Sequence, residues 1–507
     1  MKLFVKKSLE QLMATPEEGA STLKRTLGAG NLIALGIGAI IGAGLFVRTA
    51  AAAGAHAGSA VTISFIIAAV GCAFAGLCYA EFASIIPIAG SAYTYAYATM
   101  GEIVAWIIGW ALILEYALGA ATVSISWSEY ANNLLGHRIP FEWCHSPMES
   151  AIINGVTHSG IINLPALLIL LLLSALLIKG TQESATVNAV IVFIKVAIVL
   201  VFIAIGWQFI NPANHTPYLI PANAPPAILP DGTSYSYLPF FNHGWGGVLT
   251  GAGIVFFAFI GFDAVSTAAQ EAKNPKRDMP IGILGSLVVC TILYILFSWV
   301  LTGVAPYQDF MRAGKEASVA YAISHYMQHY AWLSTLVTVA ILAGFSSVIL
   351  VMLLGQSRVF YTMSTDGLLP KVFSDLHPKF STPYKSNMIL FIFVGLFAAF
   401  LPASVAGDLT SIGTLFAFVL VCIGVMLLRK TDPDLVRPFK TPLVPLVPIL
   451  GILICAAMIL SLPLETQISA LVWMIIGLII YFGYSRGHSK LGNVADILPT
   501  ATDFEKK

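Results

Sequence analysis

Residues 36–46 read GIGAIIGAGLF, inside an apolar run that begins near Asn31. Gly36, Gly38, Gly42 and Gly44 crowd this stretch, and each glycine costs a helix about 1 kcal/mol relative to alanine. The run is long and apolar enough to cross a bilayer, yet its middle is built to unwind. The break is expected at Gly42-Ala43-Gly44. Unwinding frees N–H groups at the start of the outer half and C=O groups at the end of the inner half. The first carry partial positive charge and the second partial negative. In a membrane such groups persist only where they line a cavity or are buried in protein. Close helix packing through small residues is the competing reading of the same glycines.

The rest of the chain makes that setting concrete. Of 507 residues, 58% are hydrophobic and 10% charged, with mean hydropathy +0.85, whereas soluble domains carry about 25% charged residues. A net charge of +1 and the absence of long basic runs argue against nucleic-acid binding. Cys72, Cys78, Cys290, Cys422 and Cys455 lie in or beside apolar runs, and Cys144 alone falls in an external loop. This is neither a disulfide framework nor a metal-binding spacing, so no cofactor is expected. His137, His145 and His158 share a loop without metal-ligand spacing.

Twelve candidate spans fall near 31–53, 60–80, 102–126, 163–179, 187–207, 247–270, 281–303, 332–357, 386–402, 409–428, 444–461 and 468–484. Lys2, Lys6, Lys7, Lys24 and Arg25 precede the first span, which sets the N-terminal segment apart from a cleavable signal. Counting alternate loops, the external ones hold only Arg138, Arg312 and Lys315, and 208–246 has no Lys or Arg at all. The positive-inside rule then places both termini of a multi-pass membrane protein in the cytoplasm. The expected organisation is a cytoplasmic segment 1–28, a ten-helix core 29–430, two additional spans within 431–485, and a cytoplasmic tail 486–507. The segment SAYTYAYATMGE (91–102) reads as a short amphipathic helix on the cytoplasmic surface.

A second interruption lies in GAGIVFFAFIGFDAVSTAAQE (251–271), where Gly261 sits between aromatics and Asp263 follows. The first and sixth spans correspond if the core is two repeats of five, 29–210 and 240–430, which an odd number makes opposite in topology. Paired breaks at corresponding positions of inverted repeats point to a substrate site at mid-membrane. A ligand with adjacent anionic and cationic ends satisfies both sets of free backbone groups, and an α-amino acid is such a ligand. Its carboxylate is expected on the N–H groups of Ala43, Gly44 and Leu45. Its ammonium is expected on inner-half carbonyls and on those of Phe257, Ala258 or Ile260.

Several longer stretches carry a resemblance. LGIGAIIGAGLFV (35–47), CYAEFASIIPIAGSAYTYAYATMGEIVAWIIGWALILEY (78–116), FFAFIGFDAVSTAAQEAKNPKRDMPIGI (256–283) and GQSRVFYTMSTDGLLPKVF (355–373) resemble the cationic amino acid transporter family. So does IGTLFAFVLVCIGVMLLRKTDPDLVRPFKTPLVPLVP (412–448). That family belongs to the amino acid–polyamine–organocation superfamily. The resemblance implies an all-α integral membrane protein with the leucine-transporter fold: twelve transmembrane helices, as a 5+5 inverted repeat plus two C-terminal helices. It also implies a secondary active transporter for L-amino acids, not an enzyme, whose ligands are an amino acid and a proton in a lipid setting. A small membrane-protein partner is compatible with it and unidentified.

In similar transporters a lysine on the fifth helix stands where a sodium ion sits in sodium-coupled relatives, and Lys195 matches it. Lys195 lies roughly 14 Å of helix rise into its span, a depth at which a charge is costly unless paired or functional. It reads either as a proton-coupling group or as a fixed cation bracing spans 1, 5 and 8. Glu115 and Asp263 are the other deep acids, each able to pair with Lys195 or relay its proton, or else to fill an interhelical gap. Glu81 and Glu271, at inner span ends, read as salt-bridge partners.

A methionine matching Met352 lines the side-chain pocket in similar bacterial transporters. With Ile40 and Phe257 it implies a short apolar pocket for small neutral amino acids such as alanine. Arginine or lysine transport, amino acid exchange and a sensing transceptor are the alternatives, and Met352 also reads as core or lipid-facing filler. Arg48 departs from the family pattern. Lying one turn outward from Gly44, it resembles the outer gate arginine of the fold, with Asp408 as partner; an arginine snorkelling to the interface is the other reading. The substrate candidates are therefore Ile40, Gly42, Ala43, Gly44, Phe257, Ala258, Ile260 and Met352.

Overall fold

The computed structural model describes residues 4–7, 27–86, 91–180, 185–263, 265–266, 269, 272–312, 318–380 and 382–491. Lys2, Lys24, Arg25, Glu271, Lys315 and the tail beyond 491 lie outside the described residues. The chain is mostly helical. Among the described residues, seven helical segments are long and apolar enough to cross a membrane by length and composition, and five shorter apolar helices accompany them.

The first run is split. Helix α1 (Ala29–Ile40) stops at Ile41, whose extended backbone (φ −73°, ψ 106°) ends the ladder. The chain resumes as a wider π turn, Gly44–Arg48. The break therefore centres on Ile41-Gly42, slightly earlier than expected. Helix α2 (Val61–Ile85) follows. Helix α3 (Ser91–Thr99) corrects the sequence reading: it is not on the surface, and its Tyr93, Tyr95 and Tyr97 are all buried. Tyr95 stacks on Phe82 at 5.2 Å, and residues 4–7 cover the helix, with Lys7 N–H bonded to Tyr97 O at 3.2 Å. Tyrosine hydroxyls made the face look polar, but acids within the protein take them up: Tyr93 donates to Asp366 and Tyr97 to Glu102.

Helix α4 (Glu102–Leu134) runs through the middle of the bundle; it is buried nearly all round, as a central helix must be. It packs on α9 and α11, introduced below. Then come α5 (Leu164–Lys179), α6 (Ala185–Gly206) and α7 (Gly244–Val255). Helix α7 tightens into a 3₁₀ turn, Phe256–Phe259, and breaks at Ile260-Gly261. The remaining long helices are α8 (Pro275–Val304), α9 (Ala331–Thr365), α10 (Tyr384–Phe400), α11 (Ala403–Thr431), α12 (Leu446–Ser461) and α13 (Leu464–Ile480). Exposed leucines and isoleucines on α5, α10 and α13 face outward, as lipid contact requires.

The two ends of the bundle differ. One carries two antiparallel hairpins that the loop compositions did not announce. β1 (Ser150–Ile153) pairs with β2 (Val156–Ser159), and β3 (Ala227–Ile228) with β4 (Ser234–Tyr235). Ile152 N–H donates to Pro230 O at 2.9 Å, joining the hairpins into one cap. His158 and Glu142 meet at 2.6 Å and His145 and Glu129 at 3.3 Å, and no metal-ligand cluster exists among the described residues. The hydrogen bond from His158 holds the Glu142 carboxyl below the usual carboxylate range. At the opposite end, residues 4–7 and 488–490 converge. Lys7 pairs with Asp366, Lys490 N–H donates to Asp366 O at 3.1 Å, and Ser489 and Tyr481 donate to Glu102. Glu81 at this end is held by Arg429 at 2.8 Å and Arg437 at 3.3 Å.

Candidate functional site

The two breaks touch. Gly44 lies so close to the second break that a Cβ there would overlap the Ala258 backbone. Gly261 has φ +111°, and a Cβ on it would stand 2.9 Å from Ala39 O in the first break. Glycine is required at both places, by space at 44 and by space and backbone angle at 261.

The free backbone groups distribute differently from expectation. Leu45 N–H is not available, because it donates to Gly42 O at 3.1 Å, as Phe46 N–H does at 3.4 Å. The N–H groups of Gly42, Ala43 and Gly44 have no backbone acceptor among the described residues. They open the outer half, where helix-end donors converge on an anion. On the acceptor side, Phe257 O takes the Ile260 N–H at 3.3 Å. Tyr294 on α8 places its hydroxyl 2.8 Å from Ala258 O and 3.1 Å from Ile40 O, spanning both breaks. Each carbonyl retains a second lone pair. Sequence reading missed Tyr294; its only signal is a lone tyrosine in the apolar run TILYILFSW.

Lys195 lies buried on α6, and its Nζ donates to Gly38 O of α1 at 2.8 Å. Gly344 of α9 leaves room for its stem, since a Cβ there would sit 2.9 Å from Lys195 Cε. The lysine thus ties the inner half of the first broken helix to α6 and α9. Glu115 on α4 is completely buried. Both its carboxyl oxygens lack a hydrogen-bond partner among the described residues, Lys195 included. Glu115 instead shares an electrostatic neighbourhood with Asp263. Asp263 accepts from Tyr116 Oη at 3.0 Å and from Ser91 Oγ at 3.5 Å.

Met352 is buried rather than lipid-facing. A Cβ on Gly119 of α4 would lie 3.6 Å from its Sδ and 3.6 Å from Thr410 of α11. Glu115 is one helical turn from Gly119, so Met352 stands about one turn from the Glu115 level. Ile40, Gly42, Ala43, Gly44, Phe257, Ala258 and Ile260 are buried around the contact of the breaks.

Arg48 does not snorkel: it is 2% exposed, and its Nη2 forms an ion pair with Asp408 of α11. Its Nη1 lies 3.5 Å from Ser404 O, and Gly407 leaves room for the guanidinium, with Cζ 3.1 Å from where a Cβ would be. One turn separates this pair from Gly44 on the side of the hairpin cap.

A bundle of apolar helices with two interrupted segments in contact defines a membrane permease. The amino acid permease family profile matches residues 27–484, and the chain belongs to that family, within the amino acid–polyamine–organocation superfamily of transporters. It is 44% identical over 492 residues to the branched-chain amino acid permease BcaP of Bacillus subtilis, covering 96% of this chain and 99% of that one. It is 40% identical to the methylthioribose transporter of the same organism over 490 residues, again 96% and 99% of the two chains. It is 34% identical over 435 residues to the vacuolar cationic amino acid transporter 4 of Arabidopsis thaliana, 85% of this chain and 68% of that one.

Proposed function

We propose that this chain is a proton-coupled secondary transporter that takes up neutral aliphatic L-amino acids, built as twelve spans with a 5+5 inverted repeat of the leucine-transporter type. One observation carries the reading: the first and sixth broken spans meet at Gly44–Ala258, with the N–H groups of Gly42, Ala43 and Gly44 facing no backbone acceptor among the described residues. A carboxylate satisfies those donors, while the substrate ammonium takes the remaining lone pairs of carbonyls at the breaks. A sugar thioether such as methylthioribose has no carboxylate to offer, so the amino acid reading is preferred. In this reading the buried, apolar Met352 and Phe257 bound the substrate side chain, which suits alanine or the branched-chain residues in the BcaP name better than a guanidinium.

In this reading Lys195 couples the proton: its bond to Gly38 O anchors the inner half-helix, and loss of the ammonium proton weakens that anchor. Glu115 and Asp263, in each other's field at the base of the site, share the proton traffic. The Arg48–Asp408 pair is the outer gate, with the hairpin end external and both termini cytoplasmic in a bacterial inner membrane. The test is uptake into proteoliposomes of alanine, leucine, arginine and methylthioribose, with and without an inward proton gradient. Accumulation of the neutral amino acids only with the gradient is expected. Arginine preference overturns the substrate assignment, methylthioribose preference overturns the carboxylate site, and gradient-independent accumulation overturns the coupling.

A further inference from the structure

Outside the broken helices the bundle carries a lateral groove with no polar role. It has a volume of about 540 Å³ and is lined by Trp127, Leu135 and Ile139 of the α4 end, Leu164 and Leu168 of α5, and Phe391 of α10. Leu168 and Leu164 are exposed, so the groove opens sideways, toward lipid, rather than into the bundle. Its upper edge is held with unusual care. Asn132, buried, clasps Ile139 twice, from Nδ2 to Ile139 O at 3.1 Å and from Ile139 N–H to Oδ1 at 3.0 Å. Gly136 and His137 between them adopt left-handed backbone, φ +70° and +55°. This clasped turn keeps Ile139 on the groove and presents exposed Arg138 beside it. Arg138 makes no ion pair among the described residues.

The height of that rim is fixed independently. Trp143, Trp207, Trp245 and Trp332 are exposed at the helix ends on the hairpin side, the level at which indole rings mark the boundary between hydrocarbon and headgroups. The groove thus descends into hydrocarbon from the headgroup level, with a lone cation at its mouth. We infer that this groove is a binding site for one phospholipid molecule, with an acyl chain lying along Leu168 and Phe391 and the phosphate on the Arg138 guanidinium. A phosphate meets a guanidinium through charge-assisted hydrogen bonds, and an apolar groove without polar lining suits an alkyl chain. A small transmembrane helix would use the apolar groove but has no need of the cation, so the lipid is the occupant the charge selects.

The test is native mass spectrometry of the full chain, purified in detergent, delipidated, and titrated with dioleoyl phosphatidylglycerol or with phosphate-free dioleoylglycerol. The wild type is expected to retain one phosphatidylglycerol about tenfold more than dioleoylglycerol. Arg138→Gln is expected to lower phosphatidylglycerol retention about tenfold, to the level of the neutral lipid, while Arg138→Lys restores part of it. Leu168→Trp, which fills the groove from an exposed position, is expected to remove both lipids. Lys385→Gln, at the far end of the bundle where Lys385 pairs with Asp375 at 2.7 Å, serves as the charge control and leaves retention unchanged. Equal retention by wild type and Leu168→Trp overturns the site. Equal retention by wild type and Arg138→Gln, or an equal loss with Lys385→Gln, overturns the phosphate contact and with it the proposal. Because lipid retention is read without substrate, it stands or falls separately from the transport assignment.

Discussion

The two breaks do the same thing by different means. The first ends because Ile41 turns extended and restarts with a π turn; none of its residues has a positive φ, and its glycine at 44 is there for space. The second tightens through a 3₁₀ turn and then needs Gly261 at φ +111°, for space and backbone angle together. The first break gives up donors and the second lies against it as a wall. Chain direction separates them: an outer half-helix begins at the first break and ends at the second, so the outer half offers N–H groups at the first and C=O groups at the second.

Substitution at Gly44 gives the largest effect expected. Gly44→Leu forces the two breaks apart at Ala258, and substrate binding, measured by thermal shift with alanine or leucine, should fall more than about 100-fold, the loss that misplacement of a positioned ligand group produces. Gly261→Ala comes next. It adds a Cβ at a left-handed angle beside Ala39 O, with a stability loss of about 1–3 kcal/mol read as a lower melting temperature. If Gly261→Ala proves the more damaging to binding, the donors belong to the wrong break.

Tyr294→Phe tests the link between them. It strips a hydroxyl from Ile40 O and Ala258 O, with an expected cost of about 1–3 kcal/mol and weaker binding. Lys195→Gln touches the first break alone: substrate binding should persist while gradient-driven accumulation is lost, measured in proteoliposomes as binding against uptake. The smallest effect lies far from both breaks, at Glu142–His158. The folded Glu142 carboxyl sits below its ordinary value, so its contribution is present above the ordinary carboxylate range and lost as pH falls through the folded value. Amide exchange in residues 150–159 should rise only under such acid conditions, with no change in binding at neutral pH.

The first break was legible because four glycines, Gly36, Gly38, Gly42 and Gly44, crowd nine positions at a helix cost of about 1 kcal/mol each, and because a second interruption stands at the corresponding span. The location slipped by a residue or two, since the extended residue is Ile41, an apolar side chain with no local signature. Leu45 was misjudged because Gly42 O takes the N–H groups of both Leu45 (i→i+3) and Phe46 (i→i+4), a geometry that composition does not encode. Helix α3 was placed on the surface because its tyrosines alternate with small residues. What buries them, residues 4–7 and Asp366, is distant in sequence. Which of Glu115 and Asp263 faces Lys195 stayed open for the same reason: depth along a helix is readable, but direction around the bundle is not. The hairpin cap depends on one inter-loop bond, Ile152 to Pro230, which joins stretches nearly eighty residues apart.

Asp366 receives Lys7 through its side chain and Lys490 through its backbone, so the first described residues and the last close on one residue at the end of α9. In mechanical terms the chain is a ring with its clasp at the end opposite the hairpins. A load on either described segment, 4–7 or 488–490, is therefore borne at the same point, Asp366.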